Sequence, residues 1–131
     1  PLMMMQAVIP PMRRQGAGRI INVSSGATLA TYPGSAAYTS SKAGLNMLSG
    51  VARLELAEAG ITVSTVYPFM TRSEFYQSVK SGQEAAIEQA EQIAAFAHAP
   101  ERVAEKILAM VESGEAKGDL VPRAWGGTCD D

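Results

Sequence analysis

The sequence predicts an α/β fold in which helices cover both faces of a parallel sheet. Three short apolar runs, at residues 18–24, 61–67 and 118–122, have the composition of buried strands. The segments between them place apolar residues three and four positions apart, as amphipathic helices do. Crossovers of this length join parallel strands and pack on the sheet. Three strands are few for a sheet whose two faces and two edges must all be protected. We therefore expect the chain to be part of a larger domain.

Two predicted helices flank the first strand. Residues 2–14 have helical spacing, but Pro10 and Pro11 are expected to kink or end this helix, since proline cannot donate the backbone hydrogen bond. The longer helix, residues 36–59, is closed by Gly60, a residue that suits the left-handed cap at a helix end. Its apolar stripe consists of Leu45, Leu48, Ala52 and Leu56.

The pattern weakens after the second strand. Residues 73–97 are only weakly helical, with a break expected at Gly82, and their glutamates at helical spacing indicate a solvated face. Phe96 in this segment is expected either in the core or in a pocket. Residues 101–112 carry four apolar side chains on one face, which predicts a last helix against the sheet.

Composition and charge exclude several classes of function. With 47% hydrophobic and 18% charged residues, the 131-residue chain is globular rather than disordered. A net charge of −2 gives no reason to expect nucleic acid or an anionic membrane as partner, and no apolar run approaches the roughly 20 residues of a bilayer span. Cys129 and His98, each the only one of its type, do not make a metal site. A lone cysteine also favours a reducing compartment, so we expect a cytoplasmic protein.

Three residues around the start of the long helix carry the strongest chemical signal. Tyr38 and Lys42 are four positions apart, so their side chains share one helix face. Free tyrosine, with a pKa of about 10, exchanges protons poorly at neutral pH, but a nearby ammonium group and a helix N-terminus stabilise the phenolate. Ser25 follows a strand at the edge where parallel sheets bind ligands. A Tyr-x-x-x-Lys pair alone is weak evidence, but with the serine and the strand–turn–helix context it predicts general acid/base chemistry on a carbonyl or alcohol.

The runs GRIINVSSGA, YTSSKAGL and LELAEAGITVSTVYP, in this order, resemble the short-chain dehydrogenase/reductase family over nearly the whole chain. The resemblance implies the C-terminal half of a Rossmann-like, doubly wound parallel sheet. It also implies hydride transfer between NAD or NADP and a carbonyl or secondary alcohol. Tyr38 would then be the acid/base, Lys42 would assist it and bind the nicotinamide ribose, and Ser25 would position the substrate oxygen.

The same resemblance implies further binding residues. The residues implied to bind the cofactor are Tyr38, Lys42, Pro68, Thr71 and Ser73. The residues implied to bind the substrate are Ser25, Phe75 and Tyr76. Phe75 and Tyr76 lie in the segment where the family has its variable substrate lid.

The chain departs from the family pattern at three places. One is the family's catalytic asparagine, since neither Asn22 nor Asn46 lies at a matching position. The family's Gly-rich nucleotide turn is absent, because the only G-x-G, residues 16–18, precedes a strand instead of opening a helix. Phe69 stands at a family glycine position, where a side chain would hinder close approach of the backbone to a cofactor. We therefore expect residues 1–131 to be a single partial domain without the N-terminal nucleotide-binding half, and to be inactive alone.

Two alternatives and one assembly prediction complete the sequence interpretation. A catalytically silent member of the same fold, acting as a binding or assembly module, is the main alternative. A Ser–His–Asp hydrolase is disfavoured because no G-x-S-x-G motif accompanies His98. Surplus apolar surface on the first two helices, including residues 3–5, predicts a homodimer or homotetramer, unless the rest of the domain covers it.

Overall fold

A parallel sheet forms the centre of the computed structural model, which describes residues 1–80, 82–92 and 94–130, without the side chains of residues 89 and 90. Its strands in the described residues are β1 (Gly18–Val23), β2 (Ile61–Tyr67) and β3 (Lys117–Asp119). They lie in the order β1-β2-β3, and both neighbouring pairs are parallel. The predicted parallel α/β architecture is therefore confirmed.

Helices cover both faces of this sheet. They are α1 (Leu2–Gln15), α2 (Ala36–Leu56), α3 (Gln83–Gln92) and α4 (Pro100–Ser113). Helices α1 and α2 share one core with the sheet, built from Met5, Ile20, Ala52, Leu56, Ile61 and Val63. Helix α4 contacts β1 and β2 and buries Met110 completely. Within the described residues, no helix combines the length and apolarity that a membrane span requires.

Helix α1 continues through both prolines, so the expectation that they end it is wrong. The bonds that Pro10 and Pro11 cannot make would end on the carbonyls of Gln6 and Ala7, and both of these residues are exposed. Beyond the prolines, Met12 packs against the shared core, and this packing stabilises the last helical turns.

The third strand is shorter and begins earlier than predicted. The sequence indicated residues 118–122, whereas β3 ends at Asp119. The Leu120 NH still donates to the Tyr67 carbonyl over 3.0 Å, but the next NH on that side would belong to Pro122, which has none. Because NH groups alternate along a strand, the Val121 NH points away from β2, and it donates to the Asp119 carboxylate over 3.1 Å. The same carboxylate accepts two bonds from Thr128, so the chain after β3 folds back.

Burial within α1 and α2 separates two apolar faces. Leu45, Ala52 and Leu56 are buried, so most of the stripe predicted on α2 faces the sheet. Met5 is buried, but Met3 and Met4 are exposed. Other apolar side chains of the two helices also face outward, namely Leu2, Met47, Val51 and Leu54.

The segment between β2 and α4 is irregular, as its sequence suggested. A short 3₁₀ turn (Tyr76–Ser78) precedes α3, and Gly82 before α3 has a φ of +70°, which supports the predicted break. Phe96 is 51% exposed, so the expectation of a core position is wrong. The segment around Phe96 lacks the regular spacing of apolar residues that forms a helix face packed on a sheet.

Candidate active site

A cleft of about 710 Å³ opens beyond the carboxyl ends of β1 and β2. All eight residues predicted for catalysis or binding line it: Ser25, Tyr38, Lys42, Pro68, Thr71, Ser73, Phe75 and Tyr76. They come from three separate stretches of chain, which the parallel sheet brings to one edge. The structure therefore places the predicted residues in one site, and their individual roles stay predictions.

Ser25 is held at the end of β1 by main-chain bonds on both sides. The NH of Ser24 donates to the Val66 carbonyl, and the NH of Gly26 donates to the Pro68 carbonyl, each over 2.9 Å. The Ser25 Oγ caps a 3₁₀ turn by accepting from the Ala27 NH over 3.1 Å. No hydrogen bond among the described residues uses the Ser25 hydroxyl proton, so this proton can be donated to a ligand.

Gly26, next to Ser25, fits only because it has no side chain. A Cβ there would lie 2.5 Å from the Val121 Cγ2 and 3.2 Å from the Pro68 carbonyl oxygen. Any larger residue would require Val121 or the backbone next to Ser25 to move. Close packing, rather than a special φ, therefore requires glycine at this position.

Tyr38 and Lys42 lie in the first turns of α2 and face the cleft. The Lys42 ammonium donates to the Val23 carbonyl over 3.0 Å, which ties the helix to the end of β1. It lies 5.9 Å from the centroid of the Tyr38 ring, so the shared helix face is confirmed. Tyr38 is 37% exposed, which leaves it accessible from the cleft.

Phe75 and Tyr76 form an aromatic wall beside Tyr38. The ring centroids of Phe75 and Tyr38 are 6.0 Å apart, and Tyr76 meets Phe75 edge-on at 5.3 Å. Burial raises the pKa of Tyr76, and the charge of Tyr38 raises it further. Tyr76 therefore remains a neutral phenol, and among these two tyrosines only Tyr38 has a lysine partner.

Phe69 packs to one side of the cleft. Its ring centroid lies 5.8 Å from that of Trp125 and 6.2 Å from that of His98. Among the described residues, only glycines have positive φ, so Phe69 has ordinary backbone geometry. The substitution at the family glycine position thus creates an aromatic contact without backbone strain.

Sequence reasoning missed part of the cleft lining. Tyr32, Pro33 and Gly34 line it from the loop before α2, and Trp125 lines it from the segment after β3. Trp125 could have been found, because it follows the carboxyl end of a strand, at the same edge as Ser25. The loop carries no comparable signal, since turn residues of this kind occur in most connections.

Two comparisons at the level of sequence agree on one family. The model of the short chain dehydrogenase family matches residues 1–84. D-beta-hydroxybutyrate dehydrogenase of Rhizobium meliloti (strain 1021) is 41% identical over 63 residues, which cover 48% of this chain and 24% of that protein. The oxidoreductase YbbO of Escherichia coli (strain K12) is 36% identical over 101 residues, which cover 76% of this chain and 38% of that protein.

The comparison of structures agrees with these matches. A short chain dehydrogenase from Burkholderia cenocepacia J2315, solved in complex with NADP, is 26% identical with a TM-score of 0.73. The match covers 94% of this chain and 47% of that one, so this chain spans less than half the length of these relatives. Since the family model matches well over half of the residues, the chain belongs to the short chain dehydrogenase family.

Proposed function

We propose that this chain is the catalytic and substrate-binding half of an NAD(P)-dependent oxidoreductase. The reaction is hydride transfer between the nicotinamide and a carbonyl or secondary alcohol. One observation carries the proposal: Ser25, Tyr38 and Lys42 line the same cleft, with the lysine ammonium beside the tyrosine ring. The hydroxybutyrate dehydrogenase and the NADP complex among the relatives support the same reaction class.

The residues of the cleft fit the nicotinamide end of such a cofactor. Lys42, Pro68, Thr71 and Ser73 line the cleft, where they could hold the ribose and the carboxamide. The bound cofactor would supply or accept the hydride. Among the described residues, the G-x-G run offers the pyrophosphate no cradle, because Gly16 caps the end of α1 and Gly18 begins β1. We infer that a nucleotide-binding half outside residues 1–131 completes the site.

The three central side chains divide the proton chemistry. Ser25 donates its hydroxyl proton to the substrate oxygen and fixes that oxygen near Tyr38. Tyr38 gives a proton to this oxygen during reduction and takes it back during oxidation. Lys42, anchored on the Val23 carbonyl, stabilises the phenolate that remains after the proton has left.

A catalytically silent module with the same fold is the competing function. The best sequence argument for this module is that Phe69 replaces a family glycine. This argument is weaker because the Phe69 ring packs on Trp125 and His98 and the Phe69 backbone is unstrained. The silent module would keep the cleft but transfer no hydride.

Turnover by the full-length protein tests the proposal. Secondary alcohols and ketones are supplied with NAD(H) or NADP(H), and the absorbance of the reduced nicotinamide is followed. We expect turnover with one of the two cofactors. Tight cofactor binding without turnover of any substrate would support the silent module.

Cofactor affinity tests the assignment of the chain as one half of the site. Calorimetric titration of residues 1–131 alone should show no dinucleotide binding tighter than about 1 mM, because the pyrophosphate cradle is absent. Micromolar binding by this chain would contradict the assignment.

We also propose that the protein is a homodimer or homotetramer assembled through α1 and α2. The stripe predicted on α2 is mostly buried against the sheet, so the surplus apolar surface is a different set: Leu2, Met3, Met4, Met47, Val51 and Leu54. Met47→Glu with Leu54→Glu should give monomers in light scattering of the full-length protein. If the assembly persists in this variant, the interface lies elsewhere.

A further inference from the structure

A chain of side-chain hydrogen bonds links α2 to the loop that carries Ser25. The Asn46 Nδ2 donates to the Thr28 Oγ1 over 3.1 Å, and the Thr28 Oγ1 donates to the Ser25 carbonyl over 2.8 Å. The Thr28 NH donates to the same carbonyl over 3.1 Å. The main chain of Ser25 is therefore held by both donors of one residue, and that residue is held by the helix.

The helix end of this link is one turn from the lysine of the site. Asn46 follows Lys42 by four positions, so both side chains lie on one face of α2. Helix α2 thus carries Tyr38 and Lys42 directly and contacts the Ser25 loop through Asn46 and Thr28. We propose that Asn46 and Thr28 are positioning residues that fix the Ser25 hydroxyl relative to Tyr38 and Lys42, an inference that rests on the proposed function.

The orientation of the Asn46 amide supports a dedicated role. Because the Thr28 hydroxyl proton points to the Ser25 carbonyl, its oxygen can only accept from the amide, which puts Nδ2 on that side. The Asn46 Oδ1 is then buried, with no hydrogen-bond partner among the described residues. An unpaired buried oxygen is unfavourable, and an apolar residue would avoid it. What asparagine gains here is the bond to Thr28.

Kinetics of single variants of the full-length protein test the inference. Asn46→Leu and Thr28→Val remove the link, and kcat should fall about tenfold or more, because a displaced catalytic group loses much of its effect. The KM for the cofactor should stay unchanged, since neither residue lines the cleft. Thr28→Ser keeps the hydroxyl and should restore most of kcat.

Ser49→Ala is the matched control. Ser49 lies on the same helix and accepts from Asn22 over 2.8 Å, so its loss also removes a buried bond but does not touch the Ser25 loop. This variant should lower the melting temperature and leave kcat unchanged. If kcat follows the melting temperature in all four variants, the role of Asn46 and Thr28 is merely structural and the proposal is wrong.

Hydrogen exchange separates this inference from the proposed function. The Ala27 amide donates to the Ser25 Oγ, so its exchange rate reports the order of the loop whether or not the protein has activity. Asn46→Leu and Thr28→Val should speed this exchange severalfold, and Ser49→Ala should not. Unchanged exchange in the first two variants would overturn the inference even if the oxidoreductase activity is found.

Discussion

The β1–α2–β2 unit and the segment from residue 73 to residue 97 contribute different things to the cleft. The first places Ser25, Tyr38 and Lys42 on a strand end and a helix, with main-chain anchors at the Val23, Val66 and Pro68 carbonyls. The second contributes Phe75 and Tyr76 from a region of short turns.

The contrast follows from what each group must do. Proton transfer requires donor and acceptor within hydrogen-bond distance, and the three residues proposed for it lie on rigid elements. An apolar wall acts through contact area and tolerates displacement. Changes in the first region should therefore alter the rate of the chemical step, and changes in the second should alter substrate affinity.

Tyr38→Phe should have the largest effect. It removes the acid/base hydroxyl and keeps the ring that contacts Phe75, so activity of the full-length protein should fall by roughly 10²–10⁴-fold or more. Tyr67→Phe, which removes a buried phenol outside the cleft, is the control and should retain its rate. Steady-state kinetics of both variants decide this, and a near-normal rate for Tyr38→Phe would disprove the assignment.

Lys42→Ala should have the next largest effect, and this effect should depend on pH. Without the ammonium, the phenolate of Tyr38 loses a stabilising charge, so activity should be lost by about 10²-fold near neutral pH and recover in part as the pH rises. A pH series of kcat for wild type and variant measures this. A loss that is equal at every pH would assign Lys42 to binding alone.

The positions of the proposed catalytic residues were predictable because they lie on strongly patterned elements. The bounds of β2 match the apolar run of the sequence, and Gly60, with a φ of +70°, ends the preceding helical stretch as expected. The Tyr38–Lys42 spacing then fixes one face of α2 without further information.

The parts that could not be predicted depend on tertiary contacts. Packing of Met12 on the core stabilises α1 beyond the prolines, and Thr128 folds back to donate to the Asp119 carboxylate, yet neither contact is visible in local sequence. Likewise, the exposure of Phe96 and the approach of Trp125 to Phe69 depend on how distant segments meet. Local sequence propensity carries no information about such tertiary contacts.

Phe75→Ala should affect substrate binding more than the rate of the chemical step. Loss of an aromatic wall that borders Tyr38 should raise the KM of an apolar substrate about tenfold, with a smaller change in kcat. Phe96→Ala is the matched control from the same segment, because Phe96 is exposed and lies outside the cleft, and its kinetics should not change. If Phe75→Ala lowers kcat alone, the aromatic wall acts on Tyr38 and not on substrate.

The smallest expected effect concerns His98, where the two regions meet. Its NH donates to the Met70 carbonyl over 2.8 Å, and its carbonyl accepts from the Arg72 NH over 3.0 Å, so it fastens the end of the irregular segment to the loop after β2. Burial lowers the pKa of His98, and the positive charges of Arg102 and Arg72 lower it further.

This shift predicts a pH-dependent stability with a definite sign. Below the ordinary histidine pKa of about 6.5, the unfolded chain binds a proton that the folded chain does not. The free energy of unfolding should therefore decrease as the pH falls from about 6.5, and the decrease should stop once the folded form is protonated too. Urea unfolding of wild type and His98→Gln at several pH values between about 7 and 5 isolates this contribution, because the carboxylates titrate in both proteins. If the difference in free energy of unfolding between wild type and variant is the same at every pH in this range, His98 does not contribute to the pH dependence of stability.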